Sequence, residues 1–381
     1  MSTDWQRLRD EFPVLKNWVY LNTATFGPVP LCAAEAAAAH LRQRDETASL
    51  SFLDWYGEAD VVRAAAAKLI GATADDIAFI PNAGAGLAWL IGGIDWKSGD
   101  EIVTFAHEFP NNLYFPKVLG SAGVSLTELE LPDGQFSLDR FIDALTPLTR
   151  LVLMSTVNYS SGFRPPIEVI GAELRTRNIL FYVDGTQSAG GLRIDVQAAE
   201  IDFLVVHAYK WLLSPPGIGF ACVAPQVREW LEPSIYSWRS HKNWRDVDRL
   251  HHGVPELPSS AVKYEGGMHN FSGIFAMGAT LKLIDSIGVD AIESRVQLLA
   301  EKTRDVLRSQ GGRLASDEHP QDYDSPIVTA QFPGADVSKL AVRLKDQGIA
   351  VAARKGSLRV SPHLFNNDED LARLGAALKT G

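Results

Sequence analysis

The sequence predicts an α/β fold, in which helices cover a mostly parallel sheet and a smaller α/β unit follows. Short apolar runs alternate with amphipathic helical patterns over roughly the first 210 residues, as in parallel sheets buried on both faces. Polar residues come directly after several of these runs, where open parallel sheets bind ligands. The pattern changes near residues 255–260, and the long helices and short strands that follow indicate a second unit.

Six apolar runs are short enough to be strands of the large sheet, and four segments between them have helical periodicity. The predicted strands are 77–80, 101–105, 124–129, 151–154, 179–183 and 203–206, and the predicted helices are 60–70, 87–91, 138–145 and 170–176. The smaller unit begins with predicted helices 271–287 and 290–310. It continues with strand 327–332, helix 336–347, strands 351–354 and 358–361, and helix 368–378, which the pair Asn366 and Glu369 is predicted to cap.

Composition and charge limit the classes of partner. The 381 residues carry a formal net charge of -10, which argues against nucleic acid or an anionic membrane as the main partner. The two cysteines, Cys32 and Cys222, form neither a disulfide framework nor a C-x-x-C metal or redox pair, so no metal site is predicted. Charged residues at the N-terminus predict no signal peptide, and no apolar run predicts a membrane span. We expect a cytoplasmic enzyme or binding protein.

An acid and a lysine follow two consecutive predicted strands. Asp184 ends the strand at 179–183, with Gln187 three residues later, and Lys210 follows the strand at 203–206 together with His207 and Tyr209. A lysine in a partly buried aromatic pocket has a lowered pKa, which makes its amine nucleophilic. The alternatives are an N-cap role for the aspartate and a surface position for the lysine.

A third strand runs into a glycine-containing turn, residues 81–87, which leads to a helix. Backbone N–H groups at a helix start attract phosphate, so Ala83 and Gly84 are candidate phosphate contacts. The turn lacks the spacing of a dinucleotide site or a P-loop, and many strand–helix turns contain two glycines.

The segment VDGTQSAGGLRIDVQAAEIDFLVVHAYKWL, residues 183–212, resembles the class V aminotransferase family of pyridoxal-phosphate (PLP) enzymes. The resemblance covers nearly the whole chain and implies a fold-type I PLP enzyme. It implies an N-terminal segment (1–20) that packs on the small domain, a large PLP-binding domain (21–258), and a linking helix with the small C-terminal domain (259–381).

The resemblance also implies cofactor contacts. Lys210 would form the internal aldimine and move protons at Cα, and Asp184 would keep the pyridine nitrogen protonated. Gln187 would donate to the phenolic oxygen, Phe109 would stack on the ring, and Asn158 would lie near the phenolic oxygen and the substrate carboxylate. As alternatives, Phe109 is a core aromatic residue and Asn158 a turn residue.

The phosphate would lie on Ala83 and Gly84, with His207 and Tyr209 as side-chain donors. Otherwise these two are ordinary buried polar residues. Many relatives have histidine directly before the lysine, where this chain has Tyr209.

Arg359 matches the arginine that binds the substrate carboxylate, since a guanidinium can form two parallel hydrogen bonds with it. Arg354 is a second candidate or a solvated surface charge, and Asn22 and Asn158 are further expected substrate contacts. Arg239 is a candidate for a second substrate carboxylate, unless its segment is a surface or dimer loop. Residues 263–270 resemble a loop that reaches the neighbouring subunit's phosphate site and so imply a homodimer, although Met268 replaces the usual threonine.

The sequence indicates the cofactor more clearly than the reaction. Cysteine desulfurases carry a cysteine shortly before the carboxylate-binding arginine, whereas the interval 354–359 is short and has none. The resemblance therefore implies an enzyme acting on a small α-amino acid, with aminotransfer ranked first and C–S (β-)lysis second, and epimerisation left open. A non-catalytic ligand-binding relative ranks last because Asp184 and Lys210 are both present.

Overall fold

The computed structural model describes residues 3–131 and 134–379. Its strands are β1 (Val19–Tyr20), β2 (Ile77–Ile80), β3 (Glu101–Phe105), β4 (Ser125–Leu129), β5 (Thr149–Ser155), β6 (Leu180–Asp184), β7 (Phe203–His207), β8 (Gly219–Val223), β9 (Val328–Ala330), β10 (Ile349–Ala350), β11 (Ala352–Arg354) and β12 (Ser357–Val360). Its α-helices are α1 (Trp5–Leu8), α2 (Leu31–Thr47), α3 (Phe52–Leu69), α4 (Ala83–Gly93), α5 (Pro110–Val118), α6 (Leu138–Asp143), α7 (Ile167–Thr176), α8 (Pro225–Arg228), α9 (Phe271–Ile287), α10 (Val289–Ser309), α11 (Val337–Asp346) and α12 (Asp368–Lys379).

The large sheet has seven strands in the order β2-β8-β7-β6-β5-β3-β4. Strands β3 to β7 pair in parallel, which confirms the predicted mostly parallel sheet. Strand β8 runs antiparallel to both β7 and β2. The prediction left β8 out. A short chain reversal, residues 208–218, leads from β7 into it, as an antiparallel neighbour allows and a parallel one does not.

Both faces of the large sheet are buried. Successive residues of β6, Phe181 and Tyr182, belong to two different apolar clusters, one on each side of the sheet. This alternation follows from the period of two in a strand and explains why the strands are almost continuously apolar. Polar side chains therefore collect at the strand ends.

A smaller C-terminal sheet lies beyond α10, with β12 between β11 and β9, all antiparallel. Strand β1 pairs in parallel with β10. Lys355 and Gly356 form the two-residue turn from β11 to β12, both with positive φ (45° and 78°). Such a turn matches the twist of the two strands. The large sheet and this small sheet together form the fold of fold-type I PLP enzymes.

Some helix starts differ from the predictions: α3 begins at Phe52 instead of Asp60, and α7 begins at Ile167 instead of Ile170. Helix α4 begins at Ala83, four residues earlier than predicted, because the Asn82 side chain accepts the Ala85 N–H at 2.9 Å. The predicted cap of the last helix was wrong by one residue. Asn367 and Asp370 cap α12 reciprocally, since each side chain accepts the other's backbone N–H, at 3.0 and 3.2 Å.

Within the described ranges, no single helix is both long and apolar enough to cross a bilayer. Helices α9 and α10 meet that criterion only as a pair, bent by 84°.

Candidate active site

The carboxyl ends of three neighbouring strands bring polar side chains together. Strand register places Ser155, at the end of β5, beside Asp184 at the end of β6. His207 ends the next strand, β7, and its backbone N–H donates to Thr186 Oγ1 at 3.0 Å. The sheet edge where ligands bind in open α/β folds therefore carries an acid and an imidazole side by side.

Lys210 lies in the turn that follows β7. Gly27 packs so closely on this turn that a Cβ there would lie 2.0 Å from the Lys210 carbonyl oxygen. Lys210 is 7% exposed, and its Nζ lies 5.3 Å from the centre of the Phe109 ring and 5.4 Å from that of Tyr209. Burial lowers the pKa of Lys210, the Asp184 carboxylate opposes this shift, and the charges of Arg359 and Arg354 add to it, so that the pKa is about 8. An amine with this pKa is partly neutral at physiological pH and can act as a nucleophile.

Asp184 is buried, and its Oδ1 accepts the Thr186 N–H at 2.9 Å. Burial raises the pKa of this carboxyl group, whereas the bond from Thr186 and the charge of Lys210 lower it. A second buried acid, Glu108, accepts bonds from Ser155 and Asn112, and its pKa is also raised by burial. Asp184 can therefore hold a proton on a nitrogen base placed against it, because burial strengthens such a pair.

The orientation of the Gln187 amide follows from its two partners. Trp211 Nε1 donates to Gln187 Oε1 at 2.8 Å, and Gln187 Nε2 donates to the Ala24 carbonyl at 3.1 Å. An indole N–H only donates and a carbonyl oxygen only accepts, so the amide cannot be reversed. The amide can therefore donate its second N–H to an acceptor in the cleft.

One cleft contains most of the predicted cofactor contacts. It is lined by Ala83, Phe109, Asn111, Ser155, Tyr159, Asp184, Thr186, Gln187, His207, Tyr209 and Lys210. Lys210 and Asp184 therefore face the same space. Sequence reasoning missed Asn111, Ser155, Tyr159 and Thr186. Thr186 lies between Asp184 and Gln187 in the sequence, so its closeness to the site could have been inferred.

The cleft suits an anionic group at the start of α4. The first turn of this helix presents backbone N–H groups. The Asn111 side chain lies beside this turn, because a Cβ added to Gly84 would be 3.7 Å from Asn111 Nδ2. His207 Nε2 is buried and has no hydrogen-bond partner among the described residues. Burial lowers the pKa of His207 to about 4, so the ring is neutral and can offer one N–H. An unpaired buried donor beside a helix start fits a phosphate group.

Asn158 makes contacts typical of a turn. Its Oδ1 accepts bonds from Ser160 and Ser161, and its Nδ2 donates to the His107 carbonyl at 3.0 Å. Phe109 contacts Tyr159 edge to face, with ring centres 5.2 Å apart. A direct role for Asn158 on the cofactor or substrate stays a prediction.

Arg359 is 1% exposed and makes no ion pair with any described carboxylate. Its guanidinium donates to the Tyr159 carbonyl at 2.5 Å, to Thr25 Oγ1 at 2.5 Å and to Asn22 Oδ1 at 3.4 Å. Burial lowers its pKa to about 9, and the charge of Arg354 adds to that shift. A buried guanidinium held only by neutral oxygens is suited to an incoming carboxylate.

Arg239 lies in a different environment, so the hypothesis that it binds a substrate carboxylate is not supported. It is 2% exposed, and its guanidinium pairs with Glu265 at 3.1 Å and packs over Tyr56 at 4.5 Å. Glu265 also pairs with Arg63 at 2.5 Å and with His269 at 3.0 Å. Arg239 therefore already has a buried carboxylate partner.

Neither cysteine resembles a sulfur acceptor. Cys222 is buried on β8, where burial raises its thiol pKa. Cys32 lies at the start of α2, and burial and then the Glu11 carboxylate raise its pKa. Both thiols therefore stay protonated at neutral pH, and neither lines the cleft of Lys210.

Comparison with known proteins identifies the family. The sequence profile described as aminotransferase class-V matches residues 43–374. The chain belongs to the class V aminotransferase family. A probable cysteine desulfurase of Methanothermobacter thermautotrophicus is 24% identical, over 98% of this chain and 96% of its own. Isopenicillin N epimerase of Streptomyces clavuligerus is 27% identical, over 98% of both chains.

Solved structures of the same fold are similar over nearly the whole length. The apo cysteine desulfurase of Thermococcus onnurineus NA1 has a TM-score of 0.89 at 20% identity, covering 100% of this chain and 98% of its own. A lysine-to-alanine mutant of C-DES, with glycine covalently linked to its PLP cofactor, has a TM-score of 0.88 at 21% identity, covering 98% and 99%. The class V aminotransferase family uses PLP, as C-DES does, and members of the family bind small amino acids.

Proposed function

We propose that this chain binds PLP through Lys210 and acts at Cα of a small α-amino acid, with aminotransfer as its reaction. One observation carries the proposal. The lysine amine and the Asp184 carboxylate line one cleft, and no described residue accepts a hydrogen bond from the Lys210 amine. An aldehyde-bearing pyridine would satisfy both groups at once.

Each residue has a distinct task in this proposal. When bound, PLP supplies a ring that withdraws electrons from the Cα of the amino acid. Asp184 keeps the ring nitrogen protonated, and Phe109 covers one face of the ring. Lys210, once its amine is free, takes the Cα proton and returns it. Arg359 binds the substrate carboxylate and so fixes which Cα bond faces Lys210.

The phosphate binds at the start of α4. Ala83 and Gly84 supply backbone N–H groups, and His207 supplies a side-chain donor. Tyr209 is its other proposed donor, and Gln187 donates to the phenolic oxygen through the N–H that Trp211 and Ala24 leave free. These assignments follow from the donors that line the cleft and from the unpaired Nε2 of His207.

A C–S lyase is the second candidate. The Lys355–Gly356 turn that precedes Arg359 has no cysteine, and the pKa values of both thiols are raised. A persulfide-carrying desulfurase is therefore disfavoured. A lyase that releases a small sulfur compound needs no protein thiol, so this observation is compatible with it.

Visible absorption tests the cofactor assignment. We expect the protein purified with PLP to show a visible band that Lys210→Ala abolishes. The control is Lys263→Ala, because Lys263 is also buried (6% exposed) but donates to the Arg228 carbonyl, away from the cleft. A band that survives in Lys210→Ala, or that disappears equally in the control, would contradict the proposal.

Product analysis separates the two reactions. Each amino acid is offered together with a 2-oxo acid, and the new amino acid derived from that 2-oxo acid is measured. Cysteine and cystine are offered alone, and sulfide and pyruvate are measured. A new amino acid supports aminotransfer, whereas sulfide with pyruvate and no new amino acid would replace it with the lyase.

We also propose a homodimer whose active sites lie at its interface. Met268, in the loop expected to reach the neighbouring subunit, is 63% exposed. Light scattering of the purified protein should give twice the chain mass, and a monomer would refute this proposal.

A further inference from the structure

Two arginines on the β11–β12 hairpin carry charges that no described carboxylate neutralises. Most buried arginines here have an acidic partner, as Arg63 and Arg239 do in Glu265. Among the residues that the structure describes, Arg359 bonds only to neutral oxygens, and Arg354 donates only to the Ala353 carbonyl, at 2.8 Å. Across the described residues, neither has a carboxylate within 4.0 Å.

Strand register places both side chains on one face of this hairpin. Arg359 pairs with Ala352, and Arg354, two residues beyond Ala352, pairs with Ser357. Residues two apart on a strand share a face, so Arg354 and Arg359 are diagonal neighbours, roughly 7–8 Å apart. Two carboxylates separated by a few carbon atoms can contact both.

The two arginines are linked to the catalytic lysine and to an open cleft. The charges of Arg359 and Arg354 both lower the pKa of Lys210. Arg354 also lines a cleft of about 550 Å³ together with Asn22 and Thr25, which bond to Arg359. Neither aspartate nor glutamate is among the described residues that line this cleft.

The walls of the cleft are mostly apolar. Trp18, Val342 and Val351 contribute to them, and Arg354 and Lys345 are the cations among the described lining residues. A carbon chain can rest on such walls while its charged end binds a guanidinium.

From these observations we propose that Arg354 is a substrate-specificity residue and that the substrate is an amino acid whose side chain ends in a carboxylate. The α-carboxylate binds Arg359 and the distal carboxylate binds Arg354. This inference rests on the proposed function for its chemistry, but dicarboxylate binding can be tested without it.

The first test measures binding of inert ligands to the PLP-loaded protein by calorimetry. Glutarate has two carboxylates and no amine, and butyrate is a monocarboxylate of similar length. Wild type should bind glutarate at least about tenfold more tightly than butyrate, because charge-assisted bonds to a second arginine are added. Arg354→Gln should bind the two about equally, and Arg354→Lys should recover part of the difference.

The matched control is Lys339→Gln, which removes the same charge from the nearby helix α11 at a side chain that is 87% exposed. It should retain the preference for glutarate. Equal binding of both ligands by wild type would overturn the inference. A preference for glutarate that survives in Arg354→Gln would also overturn it. That result is expected if a carboxylate of a partner subunit pairs with Arg354 and keeps it from the ligand.

The second test measures kcat/KM for acid and amide pairs: aspartate with asparagine, and glutamate with glutamine. Wild type should favour one of the acids at least about tenfold, and Arg354→Gln should lose that factor while turnover of the amide is retained. Turnover without a preference for either acid over its amide would overturn this inference but not the proposed function. No turnover of any amino acid would overturn the proposed function, and glutarate binding would then decide whether Arg354 still recognises a dicarboxylate.

Discussion

The pKa of Lys210 makes a quantitative prediction about how fast the apo protein captures an aldehyde. Burial lowers this pKa from its ordinary value near 10.5 to about 8. At pH 7 about 10% of such an amine is neutral, against about 0.03% for an exposed lysine. Between pH 7 and pH 9 the neutral fraction of Lys210 rises about tenfold, whereas that of an ordinary lysine rises about 100-fold.

Stopped-flow absorption can follow the reaction of apo protein with PLP, with a simple alkyl amine measured in parallel. The ratio of the two rate constants cancels the titration of the aldehyde itself. We expect this ratio to fall about tenfold from pH 7 to pH 9. A ratio that does not change with pH would mean that Lys210 titrates like a surface lysine and would refute the reasoning.

Asp184→Asn provides a second, independent arm of the same experiment. Asparagine retains an oxygen for the Thr186 N–H but removes the charge that raises the pKa of Lys210. The midpoint of the titration, which is the pH at which half of the Lys210 amine is neutral, should therefore be lower than in wild type. A midpoint that moves upward would show that Asp184 does not act on the amine through its charge.

Three further predictions concern stability, measured as the free energy of unfolding in denaturant. Gly162→Ala should cost about 2 kcal/mol or more, because φ is +80° and a Cβ would lie 2.0 Å from a carbonyl oxygen, whereas Gly92→Ala, with open space in α4, should gain up to about 1 kcal/mol. His363 is fully buried with a pKa of about 4, so between pH 6.5 and 4 the unfolded chain binds a proton that the folded chain does not. Stability should fall over that range by up to about 3 kcal/mol, and less in His363→Gln. Glu265→Gln should cost about 3–5 kcal/mol, because it leaves the buried guanidinium of Arg239 without a carboxylate and Arg63 with only the half-exposed Asp60.

Each stability prediction has an outcome that would contradict it. Equal effects of the two glycine substitutions would exclude the steric argument. A pH dependence of stability unchanged in His363→Gln would assign the titration to other groups. Glu256→Gln, which breaks an exposed ion pair with Lys242, should leave the free energy of unfolding nearly unchanged, and an equally small effect of Glu265→Gln would show that burial of its ion pairs adds nothing.

The sheet could be predicted from sequence where strands are short, apolar and bounded by polar residues, as at 77–80 and 203–206. Helix α9 was placed at its observed bounds, because its apolar residues recur with helical spacing between Asn270 and Gly288. Strand β8 was missed, since an apolar run of five residues does not reveal its direction or its partner. The α12 cap was misplaced by one residue because two asparagines stand side by side and either can begin a capping box.

The part of the site carried by a local motif was predictable, and the part assembled from distant segments was not. Asp184, Gln187 and Lys210 lie within 27 positions of one another and line one cleft, as adjacent strand ends require. By contrast, the sequence left the role of Arg239 open, because its partner Glu265 is recognised only once both are placed in space. The sequence likewise left Arg354 undecided, since whether a carboxylate lies nearby depends on the whole fold.

The two-residue turn at Lys355 and Gly356 limits how the protein can transfer a bound group to another protein. This turn has two residues, and the hydrogen bonds between β11 and β12 fix both of its ends. It is therefore too short to move a side chain from the cleft to the protein surface. This turn therefore cannot carry a covalently held group out of the cleft. A product of the proposed reaction would leave the cleft without being carried by this turn.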